Sequence, residues 1–293
     1  MAMYVTGDTH GGQSHGWMSV DGFMHRFNTE SFPEQKELTK TDYVVICGDF
    51  GGVWETNRFE VKESPAEKDA LDWLENKPFT TLFIPGNHEN YDRLTDCKNE
   101  ALMNSWYYAK MPTKEKEKLQ QGYPRKQWHG GYVRELRPSV FMLERGYIFV
   151  IDGKNCFAFG GASSHDIQDG ILDPAAFPDE ASFKQAYKAK RGQMFRVRGV
   201  SWWDEEMPSQ EEMERGRQNL QAFKGKIDYV FSHDAPASDK IYLGYSKIDD
   251  LNRYLESLKD EMTYDKWFYG HLHDNRIVYE NHYLLYEQII RIC

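Results

Sequence analysis

Five short apolar runs along the chain each end abruptly in a polar loop that carries aspartate, asparagine or histidine. The runs occupy residues 3–6, 43–47, 81–84, 229–231 and 267–269. Each has the continuous apolar character of a short buried strand. Helical patterning with acidic starts occurs between them, at residues 65–75, 210–223 and 248–258. Strands that alternate with helices predict a largely parallel or mixed sheet with helices packed outside it.

The loops after these runs supply residue types that bind metal ions. In chain order they read GDTHG at residues 7–11, GDFGG at 48–52, GNHE at 86–89, SHD at 232–234 and GHLH at 270–273. Because ligands converge at the carboxyl ends of strands in α/β folds, we expect the loops to lie close together. Their candidate ligands are two carboxylates, one amide and four imidazoles: Asp8, Asp49, Asn87, His10, His233, His271 and His273. This set suits manganese, iron or zinc better than calcium, and so many imidazoles disfavour magnesium.

Two of the loops place a pair of candidate ligands two residues apart. In Asp8-x-His10 and His271-x-His273 an extended backbone projects both side chains to the same side. Taken singly, each signal has a simpler explanation, because Gly-Asp pairs are common in turns and lone histidines are often structural. The occurrence of all five loops in this order, each after a strand, is what favours a metal site.

A second group of strand-like runs lies in the middle of the chain, at residues 140–143, 147–151 and 155–159. The turns between them, at residues 145–146 and 152–153, are typical of hairpins, and the group is a candidate for a second sheet. Because neither an internal repeat nor a low-complexity linker is present, we expect a single domain over residues 1–293.

Residues 104–127 differ in composition from the rest of the chain. They are rich in lysine and aromatic residues and have little apolar periodicity. We predict that this segment is an insertion or a lid, and that it influences substrate choice because it follows the GNHE loop closely.

Charge and cysteine usage limit the partners and the compartment. The formal net charge is -10, which argues against a broad basic surface for nucleic acid. The chain has no apolar run of about 18 residues and no signal-like start, so no membrane partner is expected. The four cysteines, Cys47, Cys97, Cys156 and Cys293, are too scattered for a zinc ribbon or a disulfide framework. We therefore expect a cytoplasmic protein.

The five loops together resemble the signature of the calcineurin-like metallophosphoesterases, which is GD-x-H, GD, GNH-[DE], H and GH-x-H. The resemblance extends from residue 7 to residue 273, and every motif is present. It implies a four-layer α/β/β/α sandwich of two mixed sheets flanked by helices. It also implies two divalent transition-metal ions, for which manganese is expected and iron or zinc are alternatives.

The resemblance assigns the ligands motif by motif. One metal would be held by Asp8, His10, Asp49 and His273. The other would be held by Asp49, Asn87, His233 and His271, so that Asp49 would bridge the two.

The chain departs from the serine/threonine protein phosphatase branch of that family. Pro85 and Gly86 precede Asn87, where that branch has an arginine, and Gly51-Gly52 follows the second motif in place of Asp-Arg-Gly. The arginines that would bind the phosphate of a phosphoprotein are therefore absent from those positions. The fourth motif also reads SHDAP, where many relatives have a threonine and paired prolines.

The implied activity is hydrolysis of a phosphomonoester or a small phosphodiester by in-line attack of a metal-bridging hydroxide. Asp49 would hold both metals, and the Asn87 amide would help to stabilise the transition state. His88 would protonate the leaving alkoxide, with Glu89 as a candidate orienting group. His165, which also follows a strand-like run, is a candidate for the substrate pocket, although such histidines more often cap a turn.

Two other functions are compatible with the same residues. A nuclease or cyclic-nucleotide phosphodiesterase would use the same centre, but the acidic balance of the chain disfavours it. A metal-stabilised interaction module on the same fold usually lacks some of the ligands, whereas here the set is complete. The partner that we expect is a phosphorylated substrate, whose identity this sequence does not specify.

Overall fold

Two large mixed β-sheets lie at the centre of the computed structural model, which describes residues 1–11, 22–54, 63–96, 103 and 105–293. The strands are β1 (Met3–Thr6), β2 (Tyr43–Ile46), β3 (Thr80–Phe83), β4 (Arg125–Trp128), β5 (Gly131–Arg137), β6 (Val140–Leu143), β7 (Tyr147–Ile151), β8 (Lys154–Phe159), β9 (Ile171–Leu172), β10 (Arg196–Val197), β11 (Ile227–Ser232), β12 (Tyr264–Tyr269), β13 (Arg276–Val278), β14 (His282–Leu284) and β15 (Ile290–Arg291). Within the described residues the first sheet has the order β15-β1-β2-β3-β6-β5-β4, and the second has the order β13-β14-β12-β11-β8-β7. Strands β9 and β10 pair separately with each other.

The described residues form the helices α1 (Phe23–Arg26), α2 (Pro65–Glu75), α3 (Tyr91–Leu94), α4 (Trp106–Ala109), α5 (Thr113–Gln121), α6 (Glu180–Ala189), α7 (Gln210–Ala222), α8 (Ala237–Tyr242) and α9 (Asp250–Glu261). Helices α1 and α2 pack on the outer face of the first sheet, and α7 and α9 pack on that of the second. Short 3-10 helices occupy Pro33–Glu37, Pro174–Ala176 and Asp204–Glu206. Capping boxes begin α2, α7 and α9, with Ser64, Ser209 and Asp249 as the N-cap residues. Among the described residues every helix is too short or too polar to cross a bilayer.

Successive residues of a strand pack into different cores, as the two-residue period of a strand requires. In β2, Val44 packs with α1 and α2 on the outer face of the first sheet, whereas Val45 packs between the two sheets. In β12, Trp267 packs with α7 and α9 on the outer face of the second sheet. The order of layers is therefore α/β/β/α, which confirms the predicted sandwich of two mixed sheets flanked by helices.

Parallel strands in each sheet bring the polar loops to one edge. In the first sheet β1, β2, β3 and β6 are parallel neighbours, and in the second β8, β11, β12 and β14 are. The two edges meet, because the backbone N–H of His271, after β12, donates to Asp8 Oδ1, after β1, at 3.0 Å. All five ligand loops thus follow strands whose carboxyl ends converge.

The hairpin predicted at residues 145–146 is wrong, whereas the one at residues 152–153 is confirmed. Strand β6 pairs with β3 and β5 in the first sheet, and β7 pairs with β8 in the second, so the first turn joins the two sheets. Gly146 has a φ of 80° there. A glycine at positive φ reverses the chain without deciding which strand comes next, so this dipeptide is compatible with either connection.

The segment predicted as a lid contains several elements. Residue 104 lies outside the described residues, and the rest includes α4, α5 and most of β4, which is an edge strand of the first sheet. The indole N–H of Trp106 donates to the Pro174 carbonyl oxygen at 3.1 Å. Helix α4 therefore contacts the long connection between β8 and β11, residues 160–226, which is called the excursion below. The lid role, and the assignment of residues 1–293 to one domain, remain predictions.

Candidate metal centre

Seven predicted ligands meet where the edges of the two sheets converge. The ligand atoms of Asp8, His10, Asp49 and His273 form one group, and those of Asp49, His233 and His271 form a second. Within each group all ligand atoms lie within 4.8 Å of one another. Asp49 belongs to both groups, which is the position that a bridging ligand requires.

Short distances between ligand atoms define the two groups. In the first, His273 Nε2 lies 3.0 Å from Asp8 Oδ2 and 2.9 Å from His10 Nε2. In the second, His233 Nε2 lies 3.2 Å from Asp49 Oδ1 and 3.1 Å from the amide oxygen of Asn87. Asn87 thereby adds an oxygen to the second group.

Four of the predicted ligands have a backbone φ in the left-handed region, which glycine adopts at the lowest cost and which aspartate, asparagine and histidine tolerate better than most other residues. The φ angles are 41° at His10, 45° at Asp49, 67° at His271 and 48° at His273. Such conformations cost on the order of 1–3 kcal/mol each and persist where surrounding contacts fix them. The backbone N–H of His10, for example, donates to the Asp49 carbonyl oxygen at 2.8 Å. The loops are thus strained at the ligands, as is common at functional sites.

Two glycines of the motifs allow loops from different strands to approach closely. A Cβ atom at Gly86 would lie 2.1 Å from Asp49 Oδ1, and one at Gly270 would lie 2.1 Å from Asp8 Oδ1. Both distances are far below van der Waals contact. Any side chain at either position would displace the carboxylate of a predicted ligand, which gives a physical reason for glycine in the GNHE and GHLH loops.

The hydrogen bonds of His233 show that the second group suits a cation. Its Nδ1 lies 2.8 Å from the Cys47 carbonyl oxygen, which only accepts, so Nδ1 carries a proton. In the metal-free protein Nε2 also carries a proton, because the pKa of His233 is raised to about 10, and this N–H faces the oxygens of Asp49 and Asn87. A metal ion would take the place of that proton, since its loss leaves three electron-pair donors that converge on one point. A hydrogen bond from the other ring nitrogen to a carbonyl is also the usual support for a metal-binding histidine.

The charges around the site also favour a cation. Burial lowers the pKa of His233, but the carboxylates of Asp49 and Asp8 outweigh burial and raise this pKa to about 10. Burial likewise opposes ionisation of Asp49, yet His233 and the other nearby histidines hold the pKa of Asp49 well below its usual range. Burial lowers the pKa of His271 to about 4, which keeps this imidazole in the neutral form that binds metals.

His88 lies beside the first group. Its backbone N–H donates to Asp49 Oδ1 at 2.7 Å, and its ring centroid is 5.2 Å from that of His10. Arg196 Nη2 lies 3.3 Å from Nδ1 and 3.4 Å from Nε2 of the His88 ring. A group that is nearly equidistant from both nitrogens does not lie along the in-plane lone pair of either, so the guanidinium packs over the ring. Burial, which the charge of Arg196 reinforces and that of Asp49 opposes, lowers the pKa of His88 to about 3.

Glu89 is buried behind the second and third motif loops. Its carboxylate accepts hydrogen bonds from the backbone N–H groups of Phe50 at 2.8 Å and Gly51 at 3.3 Å. These bonds fix the loop that carries Asp49. The candidate role of Glu89 in orienting His88 stays a prediction.

Four polar residues near the centre were not predicted from the sequence. They are Ser164, Asp166, Arg196 and Glu206, all in the excursion between β8 and β11. Of these, only Ser164 and Asp166 could have been suspected from the sequence, because they are the neighbours of the candidate His165 in a loop that follows a strand. The His165 ring lies 6.3 Å from the ring of His271.

A two-sheet α/β sandwich with two groups of aspartate, histidine and asparagine ligands at the carboxyl ends of its strands is typical of metal-dependent hydrolases. The chain belongs to the calcineurin-like phosphoesterase family, whose model matches residues 1–275. This confirms the predicted family and supports metal-dependent phosphoester hydrolysis. Comparison with individual curated proteins gives no match.

Proposed function

We propose that the chain hydrolyses phosphomonoesters at a centre of two divalent metals, for which manganese is our first choice. The observation that carries this proposal is that the two ligand groups share Asp49. When bound, two such metals supply a nucleophilic hydroxide and a Lewis acid for the phosphate oxygens. The mixed carboxylate, imidazole and amide donors support manganese, iron or zinc as the metal.

The residues of the chain position the reaction around that centre. Asp49 holds the two ligand groups together, and the strained backbone of its loop fixes the direction of its carboxylate. His88, next in sequence to the ligand Asn87, lies on the same side as Arg196 and supplies a proton to the leaving group. Burial of Asp49 and Asn87 and the hydrogen bond from the His88 N–H to Asp49 Oδ1 orient these groups before substrate binds, and such preorganisation is the basis of electrostatic catalysis.

Arg196 is the feature that favours a monoester over a diester. Its Nε and Nη2 atoms donate to the two carboxylate oxygens of Asp166, at 2.7 and 2.5 Å, and its Nη1 atom donates to the Ser201 carbonyl oxygen at 2.8 Å. Among the contacts of the described residues, one N–H group on Nη1 is left for a ligand, whereas the second N–H of Nη2 faces the His88 ring. A fixed guanidinium with one such N–H group and a full positive charge is well suited to a phosphate oxygen.

The number of terminal oxygens distinguishes the two classes of ester. If two of them face the metal groups, a third terminal oxygen remains only in a monoester. Arg196, which packs over His88, supplies the positive charge for that third oxygen. The protein is thus proposed to select monoester dianions and to disfavour diesters, nucleic acids included.

The first expected result is that hydrolysis of a nitrophenyl phosphate depends on a divalent metal. Chelation should abolish the activity of the purified protein, and addition of Mn²⁺ should restore it, because the hydroxide is generated only at the metal. The release of nitrophenolate measures this directly. Full turnover by a preparation shown to be free of metal would contradict the proposal.

The second expected result concerns Arg196→Ala. It should lower kcat/KM for a phosphomonoester by roughly 10- to 150-fold, the range expected for one hydrogen bond to a charged group. Activity on a nitrophenyl diester should stay within about threefold, because the diester lacks the third terminal oxygen.

Arg198→Ala is the matched control, because it removes the same charge two residues away. Arg198 pairs with Asp173 at 3.1 Å and with Asp204, and it should leave both esters within about threefold of the unaltered protein. A wild-type preference for the diester, or equal losses on both esters in Arg196→Ala, would reject the monoester assignment and favour a phosphodiesterase.

A further inference from the structure

A buried chain of hydrogen bonds leads from the amide of Asn87 into the protein. Asn87 Nδ2 donates to Ser164 Oγ at 3.2 Å, and Ser164 Oγ donates to Glu206 Oε2 at 2.6 Å. The three side chains are each 1% exposed, so water does not compete for these bonds. This chain lies on the side of the amide opposite the second ligand group.

The donor-to-acceptor direction of this hydrogen-bond chain decides which way the amide of Asn87 faces. A serine hydroxyl has one proton, and Ser164 donates it to Glu206. Ser164 therefore presents a lone pair to Asn87, and only the NH2 side of the amide can bond to it. The amide oxygen is thereby held toward His233 Nε2, at 3.1 Å. If the amide were turned over, its NH2 group would face the ligand atoms and exclude a cation.

We propose that Ser164, supported by Glu206, is a positioning residue for the metal that Asn87 binds. It acts through Asn87, whose oxygen it orients for coordination. This proposal rests on the metal centre proposed above but does not depend on the phosphate chemistry.

Three separate segments of the polypeptide contribute the residues of this hydrogen-bond chain. The loop after β8 that carries Ser164 docks on the third motif loop, because the Gly161 N–H donates to the Pro85 carbonyl oxygen at 2.7 Å. Glu206 ends the 3-10 helix Asp204–Glu206, and its own carbonyl oxygen accepts from the Ala162 N–H at 3.1 Å. The hydrogen-bond chain is therefore fixed by the backbone at both ends.

The ionised form of Glu206 gives the hydrogen-bond chain the direction described above. Burial raises the pKa of Glu206 to about 8, and its Oε1 atom has no hydrogen-bond partner among the described residues. A proton on the neutral acid would therefore be better satisfied on Oε2, from which it would donate to Ser164 and release the Ser164 proton. The metal titration described below is therefore carried out above pH 8, where the ionised acid prevails.

The test is a calorimetric titration of the metal-free protein with Mn²⁺. Ser164→Ala should weaken one of the two bound metals by about 10- to 100-fold, the usual effect of removing a residue that orients a ligand, and leave the other within about threefold. Ser164→Cys fills the same space but accepts hydrogen bonds weakly, so it should show the same loss. The measurement reports binding whether or not the protein hydrolyses any ester.

Ser139→Ala is the matched control, because Ser139 is also buried and also donates to a glutamate, Glu75, at 2.7 Å. It immediately precedes β6, at the end of that strand opposite to the ligand loops, and both metal affinities should be retained.

A double-mutant cycle separates orientation from general stability. A carboxylate presents an oxygen in either orientation, so in an Asn87→Asp background the Ser164→Ala change should cost less than about threefold in affinity. Unchanged affinities in Ser164→Ala, or the same loss in the Asn87→Asp background as in the natural one, would overturn the positioning role.

Discussion

Asp49→Ala should yield a protein that holds neither metal tightly and hydrolyses no phosphate ester, whereas His10→Ala should lose mainly one metal. The reason is geometric, because Asp49 is the residue that the two ligand groups share and His10 belongs to the first group alone. Metal analysis after gel filtration measures the stoichiometry, and nitrophenyl phosphate measures the activity of the same preparation. This is the largest effect that we expect from any single substitution.

A second variant separates the loss of a ligand from the release of backbone strain. Asp49 has a φ of 45°, and asparagine is among the residues that tolerate this conformation best. Asp49→Asn keeps the shape of the side chain and an oxygen that can accept from the His88 N–H. It should unfold at a temperature close to that of the unaltered protein. It should nevertheless lose tight binding of both metals, because an amide lacks the negative charge that both ligand groups need. Two tightly held metals in both Asp49 variants would rule out the bridging assignment.

The ligand loops were predictable because the physical signals that define them are local. A buried strand is a run of apolar residues, its end is marked by glycine, and the ligand types are recognisable one by one. Helix α2 was predicted at residues 65–75 with the bounds observed, since its start is also encoded locally by the Ser64 capping box. The alternation of strands and helices predicted only a largely parallel or mixed sheet, and the four-layer sandwich was implied by the resemblance of the five motifs to the family signature.

The residues that support the ligands were not predictable in the same way. Arg196 is 108 positions from His88, and Ser164 is 77 positions from Asn87, so only the packing of the excursion between β8 and β11 brings them together. Strand β4 is an edge strand with partly exposed polar residues, and its composition resembles that of a loop. In both cases the information lies in tertiary contacts, which neither periodicity nor turn chemistry reports.

The second large effect is expected for His88→Ala, and it depends on the leaving group. A nitrophenolate departs without help, whereas an alkoxide needs a proton in the transition state. His88→Ala should therefore keep both metals and much of its activity on nitrophenyl phosphate, while kcat on an alkyl phosphate falls by about 10² to 10⁴-fold. The metals should stay bound because the contact between residue 88 and Asp49 Oδ1 comes from the backbone N–H, which alanine retains.

The low pKa of His88 implies that its imidazole takes up the catalytic proton only after the substrate binds. Burial lowers this pKa to about 3 in the substrate-free site, so the imidazole is neutral near pH 7 and must take up a proton before it can donate one. A phosphate dianion that pairs with Arg196 supplies negative charge beside the ring and raises the pKa of His88 in the complex. Because the protonated form is the active one, kcat for the alkyl ester should fall as pH rises through that pKa.

His165→Ala is the matched control for the His88 variant, since it removes another imidazole at the edge of the site, 6.3 Å from the ring of His271. It should leave the ratio of the two kcat values and the pH profile of the alkyl ester unchanged. In His88→Ala the pH-dependent decline should disappear together with most of the alkyl activity. Equal losses on both esters with full metal occupancy would remove His88 from the acid role, because a residue that only positions phosphate affects both leaving groups alike.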